Sequence, residues 1–227
     1  MPRAALEREL QRLNDDILIL GSMAEKAILQ SVDMLKRRDI EGSHQLIADD
    51  MKLNRKRYAI ESDCLIVIAT QQPMASDLRN LAAILELAIE LERIGDYGKG
   101  IARITVMMGD EPLIKPLIDI PHMAEKACDM LHRALDAFVR HDVEMARAIP
   151  KEDDEVDALY NQVYNDLLQM IINNPKTLDQ ATHLLWVAHN LERAGDRVTN
   201  ICERVIFTVT GEMQEMDMEE PEQTGTT

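Results

Sequence analysis

Leu91-Glu92-Arg93-Ile94-Gly95-Asp96 returns one hundred residues later as Leu191-Glu192-Arg193-Ala194-Gly195-Asp196. A hexapeptide with five identities at so long an interval points to a duplicated unit, and duplication decides the fold. Upstream the interval is 103: Asp33 to Asp39 aligns with Asp136 to Asp142, and Asp50 to Asn54 falls on Asp153 to Asp157. The interval shortens to 100 between Pro73 and Leu78, where a loop can lose residues. Met-Ala-Glu-Lys-Ala at 23 and at 123 also repeats at 100. That register would need a gap inside a helix, so this match is read as partly accidental.

Each unit reads as three helices. In the first, Leu6, Leu10, Leu13, Ile17, Leu20, Ala24, Ile28 and Leu35 recur at helical spacing, predicting a helix over about 4–37. A second follows over about 40–71, with a kink expected near Asp49. A third runs over about 74–108, after Gln71-Gln72-Pro73. The second unit predicts helices over about 116–140, 143–172 and 178–210, with Pro150 breaking the middle one after a short turn. Thr177-Leu178-Asp179-Gln180 has the capping-box pattern for the last helix. Long helices with short connections imply antiparallel neighbours. The fold class is therefore all-α: two tandem, pseudo-twofold-related three-helix bundles over 1–110 and 111–211. Residues 212–227, with six acidic side chains and neither Lys nor Arg, form a tail expected to be disordered.

Composition agrees. Aromatic residues make up only 3% of the chain, while Leu, Ile, Val, Met and Ala are plentiful, favouring helix packed on helix over sheet. Fourteen Met residues suit an adaptable core. A formal charge of -16 argues against nucleic acid and against anionic lipid as partners. Cys64, Cys128 and Cys202 lie far apart, which fits neither a disulfide framework nor a thiolate zinc site and implies a reducing compartment. The charged amphipathic start shows no signal peptide, and no apolar run approaches the roughly 18 residues of a membrane span, so a soluble, cytoplasmic protein without membrane insertion is expected.

Glu92 and Asp96 are four apart and so share a helix face, as are Glu192 and Asp196. At about 100° per residue, with Ala88 as zero, Glu92 falls near 40° and Asp96 near 80°, on the flank of the buried stripe. Asp50 and Asn54 take a matching flank on the second helix, and Asp153 and Asp157 on its counterpart. Each bundle thus sets two acidic ladders beside one seam, Asn54 being the amide where the second bundle has a carboxylate. Like charges about 6 Å apart repel by roughly 0.7 kcal/mol in water and about 3 kcal/mol at an effective dielectric of 20. Something positive should offset them. A multivalent cation would do so, carboxylate oxygens suiting magnesium, calcium or manganese and iron as well, with zinc a further candidate. The alternative is that Arg93, Arg193, Arg79 and nearby lysines neutralise them as interhelix ion pairs.

Glu41 and His44 have the Glu-x-x-His spacing of di-iron carboxylate bundles but lack a second copy of the motif. His132, His183 and His189 read as ordinary polar residues, and Trp186 as a core or interface residue. There is no glycine-rich phosphate loop and no nucleophile elbow. Nothing in the chain reads as catalytic. A carboxylate-bridged redox or metal-storage protein and a metal-free structural scaffold remain the rival classes.

Taken in order, Gln72-Pro73-Met74-Ala75-Ser76-Asp77-Leu78-Arg79, Glu92-Arg93-Ile94-Gly95-Asp96, Asp153-Asp154-Glu155-Val156-Asp157 with Leu159-Tyr160, and Leu191 to Asp196 resemble the PhoU family over about residues 5–210. The resemblance implies two three-helix bundles in a cytoplasmic protein, often a homodimer. It implies a negative regulator of the phosphate-starvation response that contacts the phosphate transporter's ATPase subunit and a PhoR-type sensor kinase. It also implies multinuclear iron or other metal ions at paired acidic motifs, here Asp50, Glu92 and Asp96 in one half and Asp153, Asp157, Glu192 and Asp196 in the other. Asn54 departs from the all-carboxylate pattern.

Overall fold

The structure, a computed structural model, describes residues 2–213 and 216. The expected tail, apart from Glu212, Met213 and Met216, lies outside the described residues. Helices α1 (Pro2–Arg37), α2 (Ile40–Gln71) and α3 (Ala75–Met108) form the first bundle. Helices α4 (Asp119–Arg140), α5 (Val143–Ala148), α6 (Asp153–Asn173) and α7 (Leu178–Thr210) form the second. The break at Pro150 is a 3-10 turn, Ile149–Glu152, between α5 and α6. Its counterpart α2 runs unbroken through Asp49, because no proline removes a backbone donor there.

The 103-residue register is visible in the chain's turns. Asp39 caps α2, its carboxylate accepting from the Gly42 N–H at 2.8 Å, and Asp142 caps α5, accepting from Met145 at 3.0 Å. The residue before each cap, Arg38 and His141, takes the same left-handed conformation, φ 58° and 55°. The expected capping box of α7 is not formed. Thr177 is already helical, ending a 3-10 turn over Pro175–Thr177, and its hydroxyl donates back to Asn174 O at 2.8 Å. Gln180 instead ties the 112–114 loop, accepting from the Ile114 N–H and donating to Pro112 O.

The α1 stripe is buried throughout except Leu10, which packs at the core's edge. Helix α3 buries residues on two faces, since α1 and α2 cover one side and α7 the other. Met123 and Met130 are core, whereas Met51, Met74 and Met107 are exposed. Trp186 is half exposed and stacks edge-on with His183, so it is not a core residue.

Self-pairing of equivalent elements fixes the pseudo-twofold: α1 packs on α4 and α3 on α7. Equivalent residues meet across it. Arg197 Nε donates to the hydroxyl of its counterpart Tyr97 at 3.3 Å, and Cys128 Sγ approaches the carbonyl of its counterpart Glu25 at 3.8 Å. Asn200 donates to Glu90 while Asn190 faces Gly100, the reciprocal pairing that a twofold imposes.

The halves differ in closure. Glu152 bolts the second bundle, accepting from Arg133 at 2.7 Å on each oxygen and from Lys126 at 2.6 Å. The counterparts of Lys126, Arg133 and Glu152 are Met23, Gln30 and Asp49, which cannot make that bolt. All three line a groove of about 400 Å³ between α1 and α2. Ala27 and Gly42 also line it, where the second bundle carries Met130 and Met145.

Candidate functional site

Helices α2 and α3 bring Asp50, Asn54, Glu92 and Asp96 to one flank of the first bundle. Gly95 permits this closeness: a Cβ there would fall on Leu53 Cδ1 of α2. A lysine occupies the middle of the ladder. Lys99 Nζ donates to Asp50 Oδ2 at 2.7 Å and to Asp96 Oδ1 at 3.1 Å, and Asn54 Nδ2 donates to the same Asp50 oxygen at 3.0 Å. Burial pulls the Lys99 ammonium down, but its two carboxylate hydrogen bonds outweigh that and hold it above the usual lysine range. Arg57 reaches from α2 to Glu92 at 3.4 Å while donating to Glu61 at 2.7 Å. Glu92 is nevertheless raised, by burial first and by Asp96 next, against the pull of Arg57.

Helices α6 and α7 repeat the arrangement with different partners. Gly195 lets Asp153 lie against the α7 backbone, where a Cβ would stand 2.5 Å from its Oδ1. Burial raises Glu192, with Asp196 and then Asp157 adding to the rise and His189 and Arg193 opposing it, so these acids share one electrostatic neighbourhood. Glu192 Oε2 lies 3.2 Å from His189 Nδ1, a charge contact only when the imidazole is protonated, and receives no hydrogen bond of good geometry. Arg193 pairs with Asp196 at 2.7 Å along α7 itself.

The structure therefore brings all eight residues into two clusters, four in each bundle. Of the arginines expected to neutralise them, Arg193 pairs with Asp196, whereas Arg79 donates to the carbonyl of Thr208 at 3.5 Å. Lys99, three residues beyond Asp96 on the same helix face, is one of the nearby lysines expected in that role, whereas Arg57, which reaches Glu92 from α2, is not among the residues named for it. Among the described residues, no three His, Cys, Asp or Glu side chains stand close enough together to hold a metal ion as they are placed. A cation would have to turn carboxylates toward itself. The second cluster has the donor chemistry for that, with four carboxylates and the Gly195 cradle. The first fits poorly, because an ammonium already fills the place between Asp50 and Asp96.

A PhoU domain matches residues 17–105 and again 120–205, one copy in each bundle. The chain belongs to the PhoU family. Relatives include the phosphate-specific transport system accessory protein PhoU homologue of Clostridium acetobutylicum, 34% identical over 96% of this chain and all of that protein. That of Rhizobium meliloti is 33% identical over 98% of this chain and 94% of its own length. Among solved structures, the phosphate transport system regulatory protein PhoU from Streptococcus pneumoniae superposes with a TM-score of 0.86 at 28% identity, covering 92% of this chain and 99% of its own. PhoU from Pseudomonas aeruginosa gives 0.85 at 29% identity over 91% and 99%. In this PhoU-family chain the three cysteines are buried and free, burial pushing each thiol up to about 12, and no described helix is long and apolar enough to cross a membrane.

Proposed function

We propose that this chain is a negative regulator of phosphate uptake and of the phosphate-starvation response. In this reading it is a cytoplasmic, non-enzymatic adaptor between the phosphate transporter's ATPase subunit and a PhoR-type sensor kinase, and it works as a homodimer. The observation that carries the reading is the duplicated PhoU domain, one copy filling each bundle, in a chain whose relatives bear the name of phosphate-transport accessory protein. The surface agrees with a docking role. Met51, Tyr58 and Leu65 recur every seven residues along α2 and are each more than half exposed, an apolar stripe of the kind that marks a protein contact.

The acidic ladder of Asp153, Asp157, Glu192 and Asp196 is proposed as a cation site, whereas in the ladder of Asp50, Asn54, Glu92 and Asp96 the Lys99 ammonium already bridges Asp50 and Asp96. Iron, manganese, magnesium and zinc are the candidate metals. A bound cation would supply positive charge to a strongly acidic surface and link two helices of one bundle. The chain's own residues set what is bound: Gly95 and Gly195 hold the helices close, and the carboxylates present oxygen donors suited to hard ions. The function is tested in bacteria lacking their own PhoU-family protein and supplied with this chain. A phosphate-starvation reporter should fall silent in phosphate-rich medium. A reporter that stays on, with the chain expressed and folded, contradicts the proposal.

A further inference from the structure

The two ends of the molecule that the pseudo-twofold exchanges are closed differently. At the start of α7, Gln180 accepts from the Ile114 N–H and donates to Pro112 O at 3.0 Å, while Arg38 donates to Asp110 O at 2.9 Å. These partners are available because residues 110–114 lie outside any helix and keep free backbone groups. The side chain of Leu113 completes the contact by packing against the core.

At the intervals of 100 and 103, Asn80 is the counterpart of Gln180, His141 of Arg38 and Leu10 of Leu113. Leu10 also packs against the core, but it stands inside α1, whose backbone groups are spent on the helix itself. Asn80 therefore lacks the partners that Gln180 finds. It is 9% exposed, and its Oδ1 is buried with no hydrogen-bond partner among the described residues. Native structures leave few such atoms, since each costs stability. Asn80 lines a cavity of about 390 Å³ between the bundles, together with Leu10, Ser76, Arg79, His141 and Val209. Arg79 makes only its long bond to Thr208 O and forms no ion pair among the described residues. The acid at the cavity wall, Asp77, is already paired with Arg3 at 2.6 Å, so the free charge here is positive.

We propose that this cavity takes a short, acidic, non-helical peptide from a partner protein, its backbone pairing with Asn80 as residues 112–114 pair with Gln180. An amide side chain carries both a donor and an acceptor, which the C=O and N–H of a peptide chain match in kind. Arg79 keeps free donors for an acidic side chain of that peptide, and Leu10 and Val209 offer an apolar wall to an aliphatic one. The stretch Gln72 to Arg79 thereby gains a role that the acidic ladders do not give it, because it leads into the turns of α3 that carry Ser76, Arg79 and Asn80. The inference goes beyond the regulatory reading and does not depend on cation binding: it names a surface and the chemistry that surface accepts.

The test is fluorescence anisotropy of a labelled peptide with the sequence of residues 110–115, Asp-Glu-Pro-Leu-Ile-Lys, titrated with the full chain. Wild type should bind this probe saturably, and should bind the version with lysine in place of both acids about tenfold more weakly. Asn80→Leu should weaken the acidic peptide by about tenfold, the worth of about one buried hydrogen bond. Its melting temperature should hold or rise, because a side chain of similar size removes an unpaired buried amide. Arg79→Gln should abolish the preference for the acidic peptide over the basic one. If that variant fails to fold, Asn80→Leu still decides the matter.

Equal binding of the peptide by wild type and a folded Asn80→Leu protein would overturn the assignment, because the peptide would then sit elsewhere, displacing the 110–114 segment from Gln180 included. Absence of saturable peptide binding to wild type would overturn it too. Inorganic phosphate that binds in an Arg79-dependent way, where the peptide does not, would assign the cavity to a free anion and overturn the peptide reading.

Discussion

Gly98→Ala should destabilise the protein by about 2 kcal/mol, although alanine is the better helix former. A Cβ at Gly98 would stand 2.6 Å from the carbonyl carbon of Ala27, 2.7 Å from its oxygen and 3.0 Å from its Cβ. Carbon atoms pack best at about 3.5–4.0 Å, so α1 would have to retreat by about 1 Å over the turn that carries Ala24 and Ile28, both buried. No rotamer change can relieve a clash with backbone, which places the cost near the upper end for overpacking, about 3 kcal/mol. Helix propensity returns about 1 kcal/mol of that. Urea unfolding followed by circular dichroism measures the difference as a fall in midpoint at unchanged slope. A Gly98→Ala protein as stable as wild type would refute the close seating of α1 on α3. Gly195→Ala is the matched control. There the added carbon meets the end of the Asp153 side chain, which can swing away, so stability should hold or rise by up to about 1 kcal/mol.

The Glu152 bolt should be visible in acid. Hydrogen bonds from Arg133 and then Lys126 hold this carboxyl down at about 2, so its contribution is complete above about pH 4.5 and fades as pH falls toward 2. Allowing for partial exposure, Glu152→Gln should cost about 2 kcal/mol at pH 7, and the gap to wild type should close by about pH 2 in unfolding titrations. Ala27→Met, which copies Met130 into the α1–α2 groove, should raise stability by about 1 kcal/mol through cavity filling, read from the urea midpoint. Glu192→Gln should raise the melting temperature of chelator-treated protein while weakening manganese binding. Burial and neighbouring acids raise Glu192, so its charged form is a burden on the metal-free fold that grows as pH rises through its folded-state value.

The architecture was legible because the sequence repeats it. The 103-residue offset through Asp39 and Asp142 aligned two N-caps that the structure forms, and Pro150 marked the one long break. The helix flank that the eight clustered residues occupy was legible from the four-residue spacing taken together with the angular projection and the repeat. What the spacing could not resolve was which cation would reach them. Lys99 was within reach of inspection, since it shares a face with Asp96. Arg57 meets Glu92 from another helix, and Lys126, Arg133 and Glu152 converge from α4 and the 3-10 turn. Such contacts depend on helix crossing and rotation, which periodicity does not fix. The α7 capping box failed for a similar reason: Gln180 fits the local motif but finds better partners in the 112–114 loop.

The most direct test of the regulatory account is binding of the purified chain to the transporter ATPase subunit and to the sensor kinase, by biolayer interferometry, with manganese and with chelator. The account predicts saturable binding to both proteins, weakened by Glu192→Ala with Asp196→Ala. Failure of the folded chain to bind either protein, in manganese and in chelator alike, would contradict it.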